Sequence, residues 1–593
     1  SIIRYNIGSD NGPPHSALPD IVKAWNEKYI SPGLTIATTS ESFAAFEDKY
    51  GHVLPSFRGD LTPYWEDGAA SSAKETALNR QAAERLEQAL SLWVISGNKH
   101  YPTDDISQAW KNILLFDEHT WGSWNSISAP LDTFTLNQWE TKRSFALEAD
   151  RLSKQIMQKA IETLGPGKSE NALAFDIWNT HSWPVTDIIF LPVPDGIGNA
   201  YATDVNDNRL KSQRMSDGTL AVMVSEVPPF AAKRVLLRAE DHARIDPEPW
   251  LLSPETQLSF NHESGDISAL RHPLLHGSLA DISMGYGLNA YIYVEGRDPK
   301  NKHTTTEAHI SYPDRGKLVN TIRIESGAPG TKGLVREIMV MNGLGRIDIR
   351  NTIDKEAVYE PEGVHFAFPF NIPGGEVAIG QAFGYYHPGR EQLPGSNHNY
   401  YTLNRWVDVS GNDEGVCMVS LDAPLVELGE ISTDPIAYGW KDGQEQTQTV
   451  FSYVMNNYWE TNFLAAQPGK AVFRYSLYPG TGFDPLKNEQ RALERTQPLI
   501  IVPASGRKSL PPSLFTLGNP ELMVTALVPG SDGRHFLIRI HNPGDAEESP
   551  DFRWNLFKPM KVSLSGLSGQ DQESPGEKLS IPARGFETVR VDF

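Results

Sequence analysis

At Gly167 the hydrophobic pattern of this chain changes, and that change limits the fold more than any other feature. Before it, apolar residues recur every three to four positions over long stretches. After it they fall into short segments, most of them rich in β-branched or aromatic residues. Examples are Leu220–Val224, Tyr291–Val294, Asn320–Ile324, Arg346–Asn351 and Ala471–Leu477. Turn residues separate them, as in Pro194-Asp195-Gly196, Glu263-Ser264-Gly265 and Pro468-Gly469. Such spacing predicts about 420 residues of mostly antiparallel sheet, in sandwiches rather than a barrel. Asn261–Leu270 is expected to be a hairpin opening a large sandwich. From about residue 512 a separate small β-domain is expected, with strands at His535–Ile540, Lys561–Leu564 and Lys578–Phe593. No repeat of fixed period is present.

Residues 71–167 read as three helices. The first opens with Ser72-x-x-Glu75, a capping-box pattern, and carries Leu78, Ala82, Leu86, Ala89, Leu90 and Trp93 at helical spacing. The second runs from about Asp105 to Phe116. The third starts near Thr135, where Thr135-x-x-Gln138 is a second capping pattern, and ends at Gly165-Pro166-Gly167. Three helices with apolar stripes pack as a small bundle. Residues 1–70 have an α/β rhythm. Strands are expected at Ser1–Ile7 and Leu34–Thr38, and helices at Pro19–Trp25 and Ser40–Tyr50. Seventy residues are too few to close such a sheet with both faces covered, so most of it is expected to lie outside this chain.

At roughly 100–200 residues per domain, 593 residues predict about three to five domains. The 53 basic and 74 acidic residues leave a formal net charge of −21. With no basic stripe, nucleic acid is excluded as a partner, and an anionic membrane surface would repel the chain. Apolar runs such as Ile188–Val193 and Leu499–Val502 are far shorter than a membrane span. Cys417 is the single cysteine and forms no internal disulfide. A soluble protein is expected, with nothing to separate a cytoplasmic from an exported location. Ser1-Ile2-Ile3-Arg4 has neither an initiator Met nor a signal pattern, so a fragment or processed chain is expected. A homo-oligomer is slightly favoured over a monomer, because large sandwiches often have edges that need cover.

Gly-rich phosphate loops, His-Glu-x-x-His pairs, Cys-x-x-Cys pairs and Gly-x-Ser-x-Gly elbows are all missing. The densest polar–aromatic stretch is Phe57 to Gly68, which holds Arg58, Asp60, Tyr64, Trp65, Glu66 and Asp67. Sugar sites use this mixture, because carboxylates accept hydrogen bonds from hydroxyls while aromatic faces cover the apolar side of a ring. The same residues also suit a structured loop in which Asp60 or Asp67 holds a turn. A second stretch, Leu114 to Asn125, ends a helix in Asp117, Glu118, His119, Trp121 and Trp124. His119 suits a metal ligand completed from elsewhere, and equally a cation closing a helix C-terminus. Asp10, in Asp10-Asn11-Gly12-Pro13-Pro14 after a predicted strand, suits either an acid–base group or a turn cap. Asn456, Asn457 and Asn462 mark a polar edge, a bulge or a sugar-facing rim in a strand-like segment.

Taken in order along the chain, these segments resemble glycoside hydrolase family 38, the α-mannosidases, in its bacterial-type branch. Gly8 to Pro14 is similar to a Gly-Asp-rich loop late in that family's catalytic domain. Arg58 to Gly68 is similar to its substrate-lining segment, and Phe116 to Gly122 to the bundle segment that contributes a zinc-ligand histidine. Phe451 to Asn462 and Phe473 to Ser476 are similar to its late sandwich strands. The resemblance implies a multidomain α+β chain. It comprises the end of an α/β barrel-like domain (1–70), a three-helix bundle (71–167), a small β-domain (168–254), a large galactose-mutarotase-like supersandwich (255–511) and a C-terminal β-domain (512–593).

It also implies a retaining hydrolase of terminal α-mannosides with one zinc per complete site. Asp10 would be the acid–base group, His119 a zinc ligand, and Asp60, Trp65, Asp67 and Trp121 sugar contacts. The family holds zinc with two histidines and two aspartates, one of which is the nucleophile. This chain has no His-x-Asp sequence, and His119 is followed by Thr120. Three zinc ligands and the nucleophile are therefore expected on an upstream polypeptide, and the chain alone is expected to be inactive. Two alternatives stand beside this: a zinc-independent hydrolase or lyase on the same scaffold, and a non-catalytic carbohydrate-binding protein.

Overall fold

The computed structural model describes the chain apart from residues 1, 5–11, 58, 62–65, 99, 166–171, 241–255, 434–440, 442–446, 459–460, 505–508 and 571–578. It divides into two compact units, Ser1–Gly59 and Asp60–Phe593.

In the first unit α1 spans Leu18–Lys28 and α2 spans Thr39–Tyr50. Thr38 starts α2 with a full capping box, its hydroxyl accepting from the Glu41 amide while Glu41 accepts from the Thr38 amide at 2.7 Å. Leu34–Thr38, expected as a strand, is not one: the Asn26 side chain of α1 takes up the Leu34 amide and carbonyl, at 2.9 and 2.8 Å, where a partner strand would pair. The α/β rhythm thus reduces to helices among the described residues. The expected strand Ser1–Ile7 falls mostly outside them.

The second unit opens on a 3₁₀ turn, Glu66–Ser72, that runs into α3, Ala73–Ser96. Ser72 does not cap this helix. Its hydroxyl lies 3.5 Å from that of Thr76, and the Ala73 amide donates instead to Gln467 Oε1 at 2.9 Å. Gly97, at φ 67°, ends α3 in the left-handed conformation that glycine adopts without penalty. Next come α4, Thr103–Asp117, and α5, Thr133–Leu164. The cap of α5 is Asp132, which accepts from the Phe134 amide, rather than Thr135. The Thr135 hydroxyl is buried and donates to the Ala129 carbonyl. Leu86, Ala89 and Trp93 of α3 share one core with Ile113 of α4 and with Leu152 and Ile156 of α5. That core continues into Phe515, Phe536 and Ile538 near the C-terminus.

Antiparallel sheets make up most of the remainder. The largest has nine strands, in the order Thr306–Arg315, Val319–Gly327, Thr331–Met341, Arg346–Lys355, Gly469–Gly480, Gly415–Ser420, Trp406–Ser410, Glu376–Gln381 and Gly384–Tyr386. A six-stranded sheet centred on Glu362–Pro369 and Thr449–Asn456 packs on it. Ile338, Ile349 and Tyr475 from the first sheet meet Tyr291, Phe366 and Val454 from the second in one buried core. This is the interdigitation expected of stacked sheets. Gln257–Phe260 and Ile267–Arg271 form a hairpin beside them. Ala174–Asn179 and its neighbours form a smaller pair of sheets, and Met523–Pro529, His535–Asn542, Lys561–Ser565 and Gly585–Asp592 a C-terminal sheet. Among the described residues one helix interrupts the β region: α6, Pro485–Thr496, capped by Asp484, whose carboxylate accepts from the Lys487 amide. The whole is a mixed α+β architecture. Among the described residues no helix is long and apolar enough to cross a membrane.

Candidate functional site

The segment that leads into α3 carries three carboxylates, Asp60, Glu66 and Asp67. Asp60 is pinned through its backbone: its amide donates to the Glu391 carbonyl at 2.8 Å and its carbonyl accepts from the Leu393 amide at 3.1 Å. Its side chain is buried and doubly held, Oδ1 accepting from Gln381 Nε2 at 2.8 Å and Oδ2 from Gln392 Nε2 at 3.1 Å. Asp67 is also buried, while Glu66 keeps part of its surface. Asn456 Nδ2 donates to the Asp67 carbonyl at 2.9 Å and Gln467 Nε2 to that of Ala70 at 2.8 Å, fixing the 3₁₀ turn on the sheet.

This packing decides the electrostatics. Burial pushes the Glu66 carboxyl up to about 7, with the Asp60 charge adding to it. It also pushes Asp67 up to about 7, with Glu66 adding, while hydrogen bonds from the Gly68 amide and the Tyr400 hydroxyl work in the opposite direction. Glu66 Oε2 and Asp67 Oδ1 are buried with no hydrogen-bond partner among the described residues. Tyr386 and Tyr401 line the same region, and burial and the Asp60 charge hold both phenols protonated. Burial pushes His398 down, Asp60 opposing it; its Nδ1 lies 3.3 Å from the Tyr401 hydroxyl. Two carboxyls that titrate near neutrality beside a third are equipped to hold or exchange a proton at neutral pH.

The other expected site residues lie as follows. Asp10 and Trp65 fall outside the described residues. Trp121 is buried in an apolar cluster with Ala69, Phe116, Ala146 and Phe463, edge-on to Phe116 at 5.6 Å between centroids. It covers the backbone next to Asp67 so closely that a Cβ at Gly68 would lie 1.9 Å from its Cδ1. Gly68→Ala is therefore expected to cost about 1–3 kcal/mol by overpacking and to displace the carboxylates, read as a lowered urea midpoint. His119 is exposed, its Nδ1 2.8 Å from Glu118 Oε1. The C-terminal end of α4 is closed by Lys142 of α5, whose Nζ donates to the Leu115 and Glu118 carbonyls at 3.1 and 2.6 Å. Among the described residues no three His, Cys, Asp or Glu side chains are grouped to hold a metal ion.

Asn456 and Asn457, read as marking a polar edge, a bulge or a sugar-facing rim, are buried and structural, and the strand pairing shifts register beside them, between Val364 and His365. Asn457 Nδ2 donates to the Glu360 and Ala465 carbonyls, and its Oδ1 accepts from the Glu362 amide. Sequence reasoning left Glu66 out of the candidate residues, although it adjoins Asp67 in the same acidic stretch. Gln381, Gln392, His398 and Tyr400 carried no local signal, because they reach the cluster from more than 300 positions away.

No family model matches the sequence, and no curated protein sequence matches it. The fold is nonetheless shared with solved structures. An α-mannosidase from Enterococcus faecalis V583 superposes with a TM-score of 0.70 at 13% identity, over 98% of this chain and 75% of that one. A protein in glycosyl hydrolase family 38 from Enterococcus faecalis gives 0.68 at 13% identity, over 98% and 76%. This chain therefore has the fold of those proteins across nearly its whole length.

Proposed function

We propose that this chain belongs to a carbohydrate-active enzyme in which Glu66 exchanges a proton with the bound sugar and Asp60 and Asp67 set its environment. The observation that carries this reading is the carboxylate trio leading into α3, in which burial pushes Glu66 and Asp67 up to about 7. Glu66 is the member of that pair that keeps surface exposure. The shared fold supports the substrate class, because the solved structures named above are an α-mannosidase and a protein of its hydrolase family. Terminal α-mannosides are accordingly the first substrates to test. The nucleophile and zinc ligands of a retaining mannosidase would have to come from outside the described residues. A zinc-independent hydrolase or lyase on the same scaffold accounts equally well for the carboxylates.

In such an enzyme a protonated Glu66 would donate to the departing glycosidic oxygen and then, as a carboxylate, take a proton from the incoming nucleophile or water. The test is a panel of aryl glycosides and a glycan array, run with and without added zinc. Binding of a mannoside by the wild-type chain is expected, and, where an upstream polypeptide completes the site, Glu66→Gln is expected to lower turnover by about 10²–10⁴-fold. No glycan bound and no glycoside cleaved under either condition would remove the reading.

A further inference from the structure

A second polar site lies away from the carboxylate trio. Between α3, the strands around Arg405, α6 and the C-terminal sheet is a cavity of about 720 Å³. That is within the range of roughly 300–1,000 Å³ typical of small-molecule sites, and has room for about two dozen waters, far beyond what filling a packing defect needs. We propose that it binds a short neutral oligosaccharide.

Charge balance argues for a neutral ligand. Six arginines line the cavity, with Glu84, Glu87, Asp117 and Glu489. Arg405 is held by Glu84 at 2.6 Å and Glu489 at 2.9 Å. Three of the others pair with carboxylates outside the lining: Arg85 with Asp150, Arg474 with Asp422 and Arg495 with Asp348, at 3.3, 2.7 and 3.5 Å. Arg346 shares Asp348 and brings Asp187, and Lys154 shares Asp150, so eight cations stand against eight carboxylates and a polyanion or polycation gains little there.

What remains unsatisfied is donors and acceptors. Arg80 Nε, Arg539 Nε, His541 Nε2 and Asn79 Oδ1 have no hydrogen-bond partner among the described residues. His541 is only 3% exposed and Asn79 only 2%. Buried polar atoms are normally paired. A ligand whose every hydroxyl both donates and accepts suits so mixed a set. Phe383 adds an apolar surface: the residue is 37% exposed and its ring stacks on Phe586 at 4.1 Å. Its backbone sits at φ 59°, a left-handed conformation uncommon for an aromatic residue. The carbon-bound hydrogens of a sugar ring pack on such a face.

The test uses the whole chain, with mannobiose, maltotriose, cellotriose and xylotriose as probes in titration calorimetry, and hydrogen exchange on the wild-type protein. At least one probe is expected to bind and to slow exchange in residues 79–88 and 525–541. Arg539→Gln is expected to weaken that binding at least tenfold. Ala526→Phe, which fills the cavity from the C-terminal sheet, should abolish it, the melting curve of each variant confirming its fold. The site is overturned if no probe binds, if the protected residues lie elsewhere, if folded variants bind as wild type, or if inorganic phosphate displaces the probe. Protection at residues 60–72 with none at the cavity would overturn this reading and leave that of Glu66 standing, and the reverse pattern would do the opposite, since the exchange pattern tells the two sites apart.

Discussion

At pH 8 the Asp67→Asn protein is expected to be more stable than the wild type, by up to about 4 kcal/mol. The sign follows from the direction of the shift. Burial raises the folded-state pKa of Asp67 from 3.8 to about 7. The folded protein then holds a proton that the unfolded chain has already lost, so stability is greatest below pH 3.8 and declines as pH rises to about 7. Above that the penalty of the buried charge is constant. Asparagine removes the charge and keeps the shape, so the two proteins should converge near pH 3.5 and separate progressively toward pH 7. Urea midpoints across that range measure it. An unchanged profile would mean that Asp67 is not ionised against its burial. Function should move as well. Asp60 goes on raising Glu66, but loss of the Asp67 charge lets Glu66 ionise more readily, so the alkaline limb of any glycosidase pH profile should shift to lower pH.

Arg405→Met is expected to destabilise the chain by about 3–5 kcal/mol, the usual consequence of stripping one partner from a buried ion pair. Arg405 bridges Glu84 on α3 and Glu489 on α6, all three side chains being 10–15% exposed. Burial pushes the Glu84 carboxyl up, but Arg405 beside it more than offsets this and holds it below the usual carboxylate range. The remaining contacts cannot replace the guanidinium: Gln497 donates to Glu84 and the Trp406 indole to Glu489, each at 2.8 Å. Methionine would leave two carboxylates facing each other across a polar cavity. A lowered urea midpoint at unchanged slope is the expected result. A loss below about 1 kcal/mol would place the triad in the solvent-screened class instead.

Local patterns were legible where the local chain decides the outcome. The apolar stripe from Leu78 to Trp93 predicted α3 because a helix satisfies its own backbone and needs a partner only for one face. Tyr291–Val294 and Arg346–Asn351 announced strands through β-branched and aromatic content, and both lie inside longer strands. Capping signals were less dependable. Ser72-x-x-Glu75 and Thr135-x-x-Gln138 have the right letters, but Gln467 satisfies the start of α3 and Asp132 caps α5. Conversely, Asp484-Pro485 is a sound helix start that a β-rich context concealed.

By itself, then, the sequence determined the change from helical to sheet architecture at Gly167, the hairpin near residue 260 and the acidic stretch at Asp60–Asp67. These follow from periodicity, turn residues and charge, which act between near neighbours. Only the tertiary structure decided that Asp67 is buried and Glu66 partly exposed, that Trp121 packs under Gly68, and that His119 is exposed beside Glu118. It alone brought Gln381, Gln392 and Tyr400 to the carboxylates, and Arg539 and His541 to the α3 cavity. Desolvation and long-range pairing set the chemistry of both places, and neither quantity exists until the sheets and helices have closed on one another.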